Sequence, residues 1–118
     1  IPSVIKMIKT GQPVEVFGDG KDLRDYIYSQ DVARIARELF REDLSGIFNL
    51  ATGTSRSLAE LLRQIILFSG KEVEVHYNSR RQKKLDYRFD TGKLKQALPD
   101  LEWTDFNRAL RRTYDHIL

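Results

Sequence analysis

At 118 residues, 41% apolar and 31% charged, the chain has the length and balance of one soluble globular domain with a modest core. It has no cysteine, which excludes disulfides, thiolate zinc sites and a cysteine nucleophile. The net charge of +3 sits in one patch: Asn78 to Lys95 carries seven bases (Arg80, Arg81, Lys83, Lys84, Arg88, Lys93, Lys95) against two acids, while the rest of the chain is acidic in balance. Such a patch suits an anionic partner, a phosphate, nucleotide or nucleic acid.

The longest apolar runs, such as Ile65–Phe68, are far too short to span a bilayer, and no basic-then-apolar leader is present. The expectation is a cytoplasmic protein with no membrane partner. A start at Ile1-Pro2, without methionine, reads as a processed product, a fragment or an excised piece of a larger protein.

In chain order, Ser3 to Thr10 reads as a short helix, with Pro2 at its start and Gly11 as its stop. Gln12-Pro13 is a turn, Val14–Phe17 a strand by alternation, and Gly18–Asp22 a loop of turn formers. Arg24 to Tyr28 reads as a second strand. Val32, Ile35, Ala36, Leu39 and Phe40 then form the clearest helical stripe, with Ser29 or Asp31 placed to serve the free amides at its start.

Ile47–Ala51 is read as a strand that is apolar on both faces, and Thr52–Thr54 breaks it. Ser57-Leu58-Ala59-Glu60 is a capping box opening a helix whose stripe is Leu58, Leu61, Leu62 and Ile65, with Gly70 as its close. Val73 to Tyr77 alternates as a strand, and Asn78 to Arg88 is a charged loop. Thr91 to Leu98 is a short helix stopped by Pro99, and Leu101–Trp103 is extended. Phe106, Ala109, Leu110, Tyr114 and Ile117 mark a closing amphipathic helix. Strands alternating with helices predict one α/β domain over residues 1–118.

Several chemistries can be tested on these residues. Gly18-Asp19-Gly20 lacks the third glycine of a dinucleotide fingerprint, the position being Leu23, and leads toward a strand where the fingerprint needs a helix. No tyrosine is followed by a lysine four residues on, so the chain has no short-chain-reductase base pair. His76 and His116 are isolated, and no metal-ligand spacing surrounds either. The chain is therefore expected to hold no catalytic residue, no cofactor and no metal.

Arg24 follows the glycine-rich loop. It can bind a phosphate through its planar fork, or it can pin the loop through Asp25 or a helix. The basic segment 80–95, with Tyr77, Tyr87 and Phe89 interleaved, also permits a non-enzymatic nucleic-acid-binding α/β module, or a solvated face with no ligand.

The run Val16-Phe17-Gly18-Asp19-Gly20, then Leu23 through Tyr28, then Asp31-Val32-Ala33, resembles extended short-chain dehydrogenases that act on sugar nucleotides, UDP-glucose 4-epimerase-like enzymes among them. Phe48–Gly53, Ser57–Leu61, Asp90–Leu98 and Leu101-Glu102-Trp103 match further blocks of that family in order, so the resemblance covers essentially the whole chain. It implies the small C-terminal substrate-binding portion of an NAD(P)-dependent epimerase or dehydratase.

In such an enzyme the chain's own N-terminal Rossmann domain, absent from this sequence, binds NAD or NADP and supplies the Tyr/Lys pair. The piece read here holds the nucleoside-diphosphate sugar and is inactive by itself. By resemblance, Val16 and Phe17 lie along the base, Arg24 contacts the nucleotide, and Arg80 or Arg81 contacts the diphosphate. The family's Arg-x-Gly-Asp context is replaced here by Arg80-Arg81-Gln82-Lys83-Lys84, so counting from Asp90 points to Arg80 and counting from Gly70 points to Arg81. Parted from the Rossmann half, the Ile47–Ala51 strand is expected to leave an apolar face or sheet edge uncovered, a cause of self-association.

Overall fold

The computed structural model describes residues 1–117. Helix α1 runs Pro2–Lys9, with proline where a missing N–H costs nothing, and buries Ile5 and Ile8. Gly11 follows at φ +70°, and the chain reverses into strand β1, Val14–Phe17. Here alternation works as read: Val14 and Val16 are buried, Glu15 and Phe17 exposed.

Strand β2 is only Leu23–Asp25, shorter than predicted, because Tyr26–Tyr28 leave the ladder to enter helix α2, Ser29–Arg41. That helix has no side-chain cap. Asp31 turns away from the helix amides to accept from Thr104 N–H and Oγ1, both at 2.9 Å, and from Arg34 at 3.0 Å. The predicted stripe is also only partly covered. Ile35 is buried, but Ala36 is exposed and Phe40 is 86% exposed.

The predicted strand Ile47–Ala51 does not form. The segment is extended, but it has no strand partner among the described residues, and Ile47 is 87% exposed. Lys93 Nζ donates to the Ile47 carbonyl at 2.8 Å, and Asn49 donates to the Asp90 carbonyl at 2.9 Å. Side chains thus tether the strip where a ladder was expected.

Strand β3, Ser55–Ser57, was not legible in the sequence. It pairs antiparallel with β2, Leu23 opposite Ser57 and Arg24 opposite Arg56. Helix α3, Leu58–Ser69, follows with Ser57 Oγ accepting from Glu60 N–H at 3.1 Å, and Gly70 closes it in the left-handed conformation. Half of the capping box forms. The Glu60 carboxylate takes Arg56 at 2.6 Å in place of the Ser57 amide. Ser57→Ala is expected to cost about 1 kcal/mol, read as a lower urea midpoint with an unchanged slope.

Strand β4, Val75–Asn78, starts later than predicted and pairs parallel with β1, Val14 opposite Val75 and Phe17 opposite Asn78. Helices α4, Gly92–Ala97, and α5, Phe106–His116, complete the chain. The main core joins α1, β1, α3 and α5 through Ile5, Ile8, Val14, Val16, Leu61, Leu62, Ile65 and Leu110. The result is α/β, as expected, with two small two-stranded sheets.

Candidate functional site

The C-terminal end of β1, the loop behind it, β2 and the 78–88 loop converge on one side of the molecule. The parallel pairing carries the chain on from Asn78, beside Phe17, into the basic loop, and Gly18 N–H donates to the Asn78 carbonyl at 2.9 Å. Below, Leu23 N–H donates to Asp86, and Tyr87 N–H to the Leu23 carbonyl at 3.0 Å. The basic loop is therefore laced along both strands.

Arg80 reaches across this junction and donates to Asp22 at 2.6 Å and to Asp19 at 2.7 Å. The Asp22 bond chiefly, with both carboxylates nearby, holds its pKa above the ordinary arginine value. Asp19 is lowered by the backbone amide of Lys21 first, against some burial, and then by Arg80. Asp86 is lowered by the Leu23 amide and by Lys84. Gly18 sits at φ +87°, and a Cβ there would lie 2.9 Å from the guanidinium carbon of Arg80. Only glycine both accepts that conformation and leaves the arginine its seat.

Arg24 donates to the Leu23 carbonyl at 2.8 Å and to the Leu85 carbonyl, lies 3.8 Å from Asp22, and stacks 4.6 Å over Tyr87. Its side chain keeps 37% exposure. These contacts tie Arg24 to the basic loop, whereas one sequence reading had it pin the glycine-rich loop through Asp25 or a helix. Asp25 instead accepts from Thr52 N–H and Oγ1 and from Gly53 N–H, at 2.8–3.0 Å.

Arg81 is exposed, and its guanidinium carbon lies over the Phe17 ring, 3.8 Å from the centroid. Val16 is 2% exposed, so it can offer a ligand only its backbone, whereas Phe17 offers a ring that is 45% exposed. Val16, Phe17, Arg24, Arg80 and Arg81 thus sit in one neighbourhood. Two residues that the sequence reading did not single out, Asp19 and Asp22, hold it together. An acid next to a glycine turn carries no sign of a partner some sixty positions on.

The loop Gly18–Gly20 leads into β2, with no helix N-terminus behind it, and the Arg80 guanidinium fills the space beside Gly18. These residues do not fit a dinucleotide pyrophosphate. Among the described residues no cluster of metal-ligating side chains occurs, and no helix is long and apolar enough to cross a membrane. The basic patch is partly neutralised: Arg80 and Lys84 face carboxylates, and Lys93 is committed to the Ile47 carbonyl and the Phe48 ring.

The profile of the NAD dependent epimerase/dehydratase family matches residues 1–51. A trifunctional UDP-glucose 4,6-dehydratase/UDP-4-keto-6-deoxy-D-glucose 3,5-epimerase/UDP-4-keto-L-rhamnose-reductase of Arabidopsis thaliana is 29% identical over 98% of this chain, which spans 18% of that protein. UDP-N-acetylglucosamine 4-epimerase from Methanobrevibacter ruminantium, solved with UDP-N-acetylmuramic acid, superposes with a TM-score of 0.84 at 25% identity. The match covers 95% of this chain and 36% of that one. Thermus thermophilus UDP-glucose 4-epimerase, solved with NAD, gives 0.81 at 25% identity, over 98% of this chain and 38% of its own. In fold, motif order and these matches, the chain is similar to NAD-dependent nucleotide-sugar epimerases and dehydratases of the extended short-chain dehydrogenase family, and it spans well under half the length of the relatives it matches.

Proposed function

We propose that this chain is the substrate-holding part of an NAD(P)-dependent nucleotide-sugar epimerase or dehydratase, and that it grips a nucleoside diphosphate at the open end of β1. The observation that carries the reading is that Arg24 and Arg80, from two segments far apart in sequence, meet at Asp22, while Arg81, next to Arg80, lies over the exposed ring of Phe17. Planar guanidinium groups suit phosphate oxygens and aromatic faces, and a diphosphate offers the one while its nucleoside offers the other.

Binding the non-reacting part of a substrate this way orients the reacting sugar carbon, the contribution such a site makes to a hydride transfer carried out elsewhere. In this reading the cofactor and the proton-moving Tyr/Lys pair belong to a Rossmann domain of the same protein; the sequence has no Tyr-x-x-x-Lys, and the loop Gly18–Gly20 leads into β2 and not a helix. Hydride exchange at a sugar carbon is the chemistry the nicotinamide supplies when bound.

Two features support docking of that domain. The radius of gyration is 16.4 Å, with extents of 48 × 33 × 16 Å, against roughly 13–14 Å for a self-contained domain of this length. Phe40, Leu44 and Ile47 are exposed apolar side chains, and the segment 47–51 has no strand partner among the described residues. Such a surface is a cause of self-association when nothing covers it.

Titration with UDP-glucose, followed by backbone amide shifts, tests the reading. Saturable changes are expected at Phe17–Arg24 and Arg80–Tyr87. Saturable shifts confined to other segments, or none at millimolar ligand, would remove the nucleotide site from this face.

A further inference from the structure

We infer that Arg80 and Arg81 divide their labour, Arg81 stacking on the nucleobase of the ligand and Arg80 serving as the strut that holds it there. The inference rests on the nucleotide reading of this site and deepens it. Aligning the basic loop by its distance from Asp90 makes Arg80 the diphosphate arginine; the side-chain geometry favours a different assignment.

Arg80 is already engaged. Its two terminal nitrogens meet two carboxylates, its side chain is 26% exposed, and it lies in the slot opened by Gly18. Arg80 with Asp19 and Asp22 carries a net negative charge, so this cluster gives an incoming diphosphate no long-range pull. What it does give is a cross-link between the Asp19–Asp22 turn and the start of the basic loop, which fixes the backbone of the very next residue.

Arg81 is the opposite case. Among the described residues it makes no ion pair, it is exposed, and its guanidinium carbon lies over the Phe17 ring, 3.8 Å from the centroid. The 3.8 Å spacing leaves no room for a base between guanidinium and ring. The outer face of the guanidinium is open, weakly hydrated and planar, so a base adds there as the third layer of a Phe17–Arg81 stack. The chain bends at Arg81, directly after Arg80, and the two side chains part, one seated between Asp19 and Asp22 and the other over Phe17.

Two probes separate the roles. Calorimetric titration of the full chain with UDP and with inorganic pyrophosphate is expected to show that Arg81→Ala weakens UDP about tenfold, the scale of one base stack. Pyrophosphate affinity should stay within about twofold of wild type. Arg81→Tyr, which restores a plane without charge, should recover most of the UDP affinity, whereas Arg81→Lys should not. Arg80→Ala should lower the melting temperature and weaken UDP, because the strut is gone.

Equal weakening of UDP and pyrophosphate by Arg81→Ala would make Arg81 a phosphate ligand and overturn the inference. No change in either probe would overturn it as well. A wild-type chain that binds both probes while Arg81→Ala changes neither leaves the nucleotide reading standing. A wild-type chain that binds neither removes both.

Discussion

On the proposed function, Arg24→Ala in the intact protein is expected to raise the Michaelis constant for the nucleoside-diphosphate sugar by about 10- to 100-fold. Charge-assisted hydrogen bonds to a partly desolvated diphosphate are worth roughly 1.5–3 kcal/mol, and one decade of affinity is about 1.4 kcal/mol. The fork of Arg24 is poised for this: it spans β2 and the basic loop, steadied from below by the Tyr87 ring. Arg24→Lys should recover only part, since an ammonium is a point charge without the fork.

The same side chain also ties the loop to β2 through the Leu23 and Leu85 carbonyls. Those bonds are half in solvent, so their loss should lower the melting temperature by only a few degrees, on the order of 1 kcal/mol. A purely structural Arg24 gives the reverse pattern. If the Michaelis constant holds steady while the melting temperature falls, Arg24 leaves the site and stays as a clasp.

The second large effect is expected far from the ligand. Asp31→Ala should destabilise the fold by about 3 kcal/mol, or roughly 10 °C in melting temperature. Asp31 is 3% exposed, and its two oxygens accept from Thr104 N–H, Thr104 Oγ1 and Arg34. Burial by itself pushes its carboxyl pKa up, but the bonds from Arg34 and Thr104 outweigh this and hold it below the usual value.

Alanine would leave the Thr104 amide and hydroxyl unsatisfied where α2 meets the segment entering α5. Asp31→Asn should restore only part, because an amide nitrogen would face the Thr104 N–H. Thermal unfolding of the three proteins checks this; a loss under about 1 kcal/mol for Asp31→Ala would mean water replaces the carboxylate at no cost.

What the linear sequence settled is whatever neighbouring residues decide among themselves. Ser57 and Glu60 are three apart, so an oxygen meets an amide at the start of α3, and Gly70 ends it for want of a Cβ. Val14 and Val16 are two apart, so they share the buried face of β1. The block from Arg24 to Tyr28 and its companions carried the family, because motif order is itself a property of the linear chain.

The rest depended on partners distant in sequence. Ser55-Arg56-Ser57 has little intrinsic preference for a strand, yet it is one, because Leu23–Asp25 lies alongside to take its hydrogen bonds. Ile47–Ala51 has every local mark of a strand and is not one here, because no ladder partner runs beside it among the described residues. Asp31 has the spacing of a helix cap and serves Thr104 instead, 73 residues on. Arg80 and Arg81 are equivalent as letters; the parallel pairing of β1 with β4 brings Asp19 and Asp22 to one and Phe17 to the other. Backbone hydrogen bonds between strands and ion pairs between loops form only when the chain has closed over such distances, so it is the tertiary structure that seats Arg80 between two carboxylates and leaves Arg81 over Phe17.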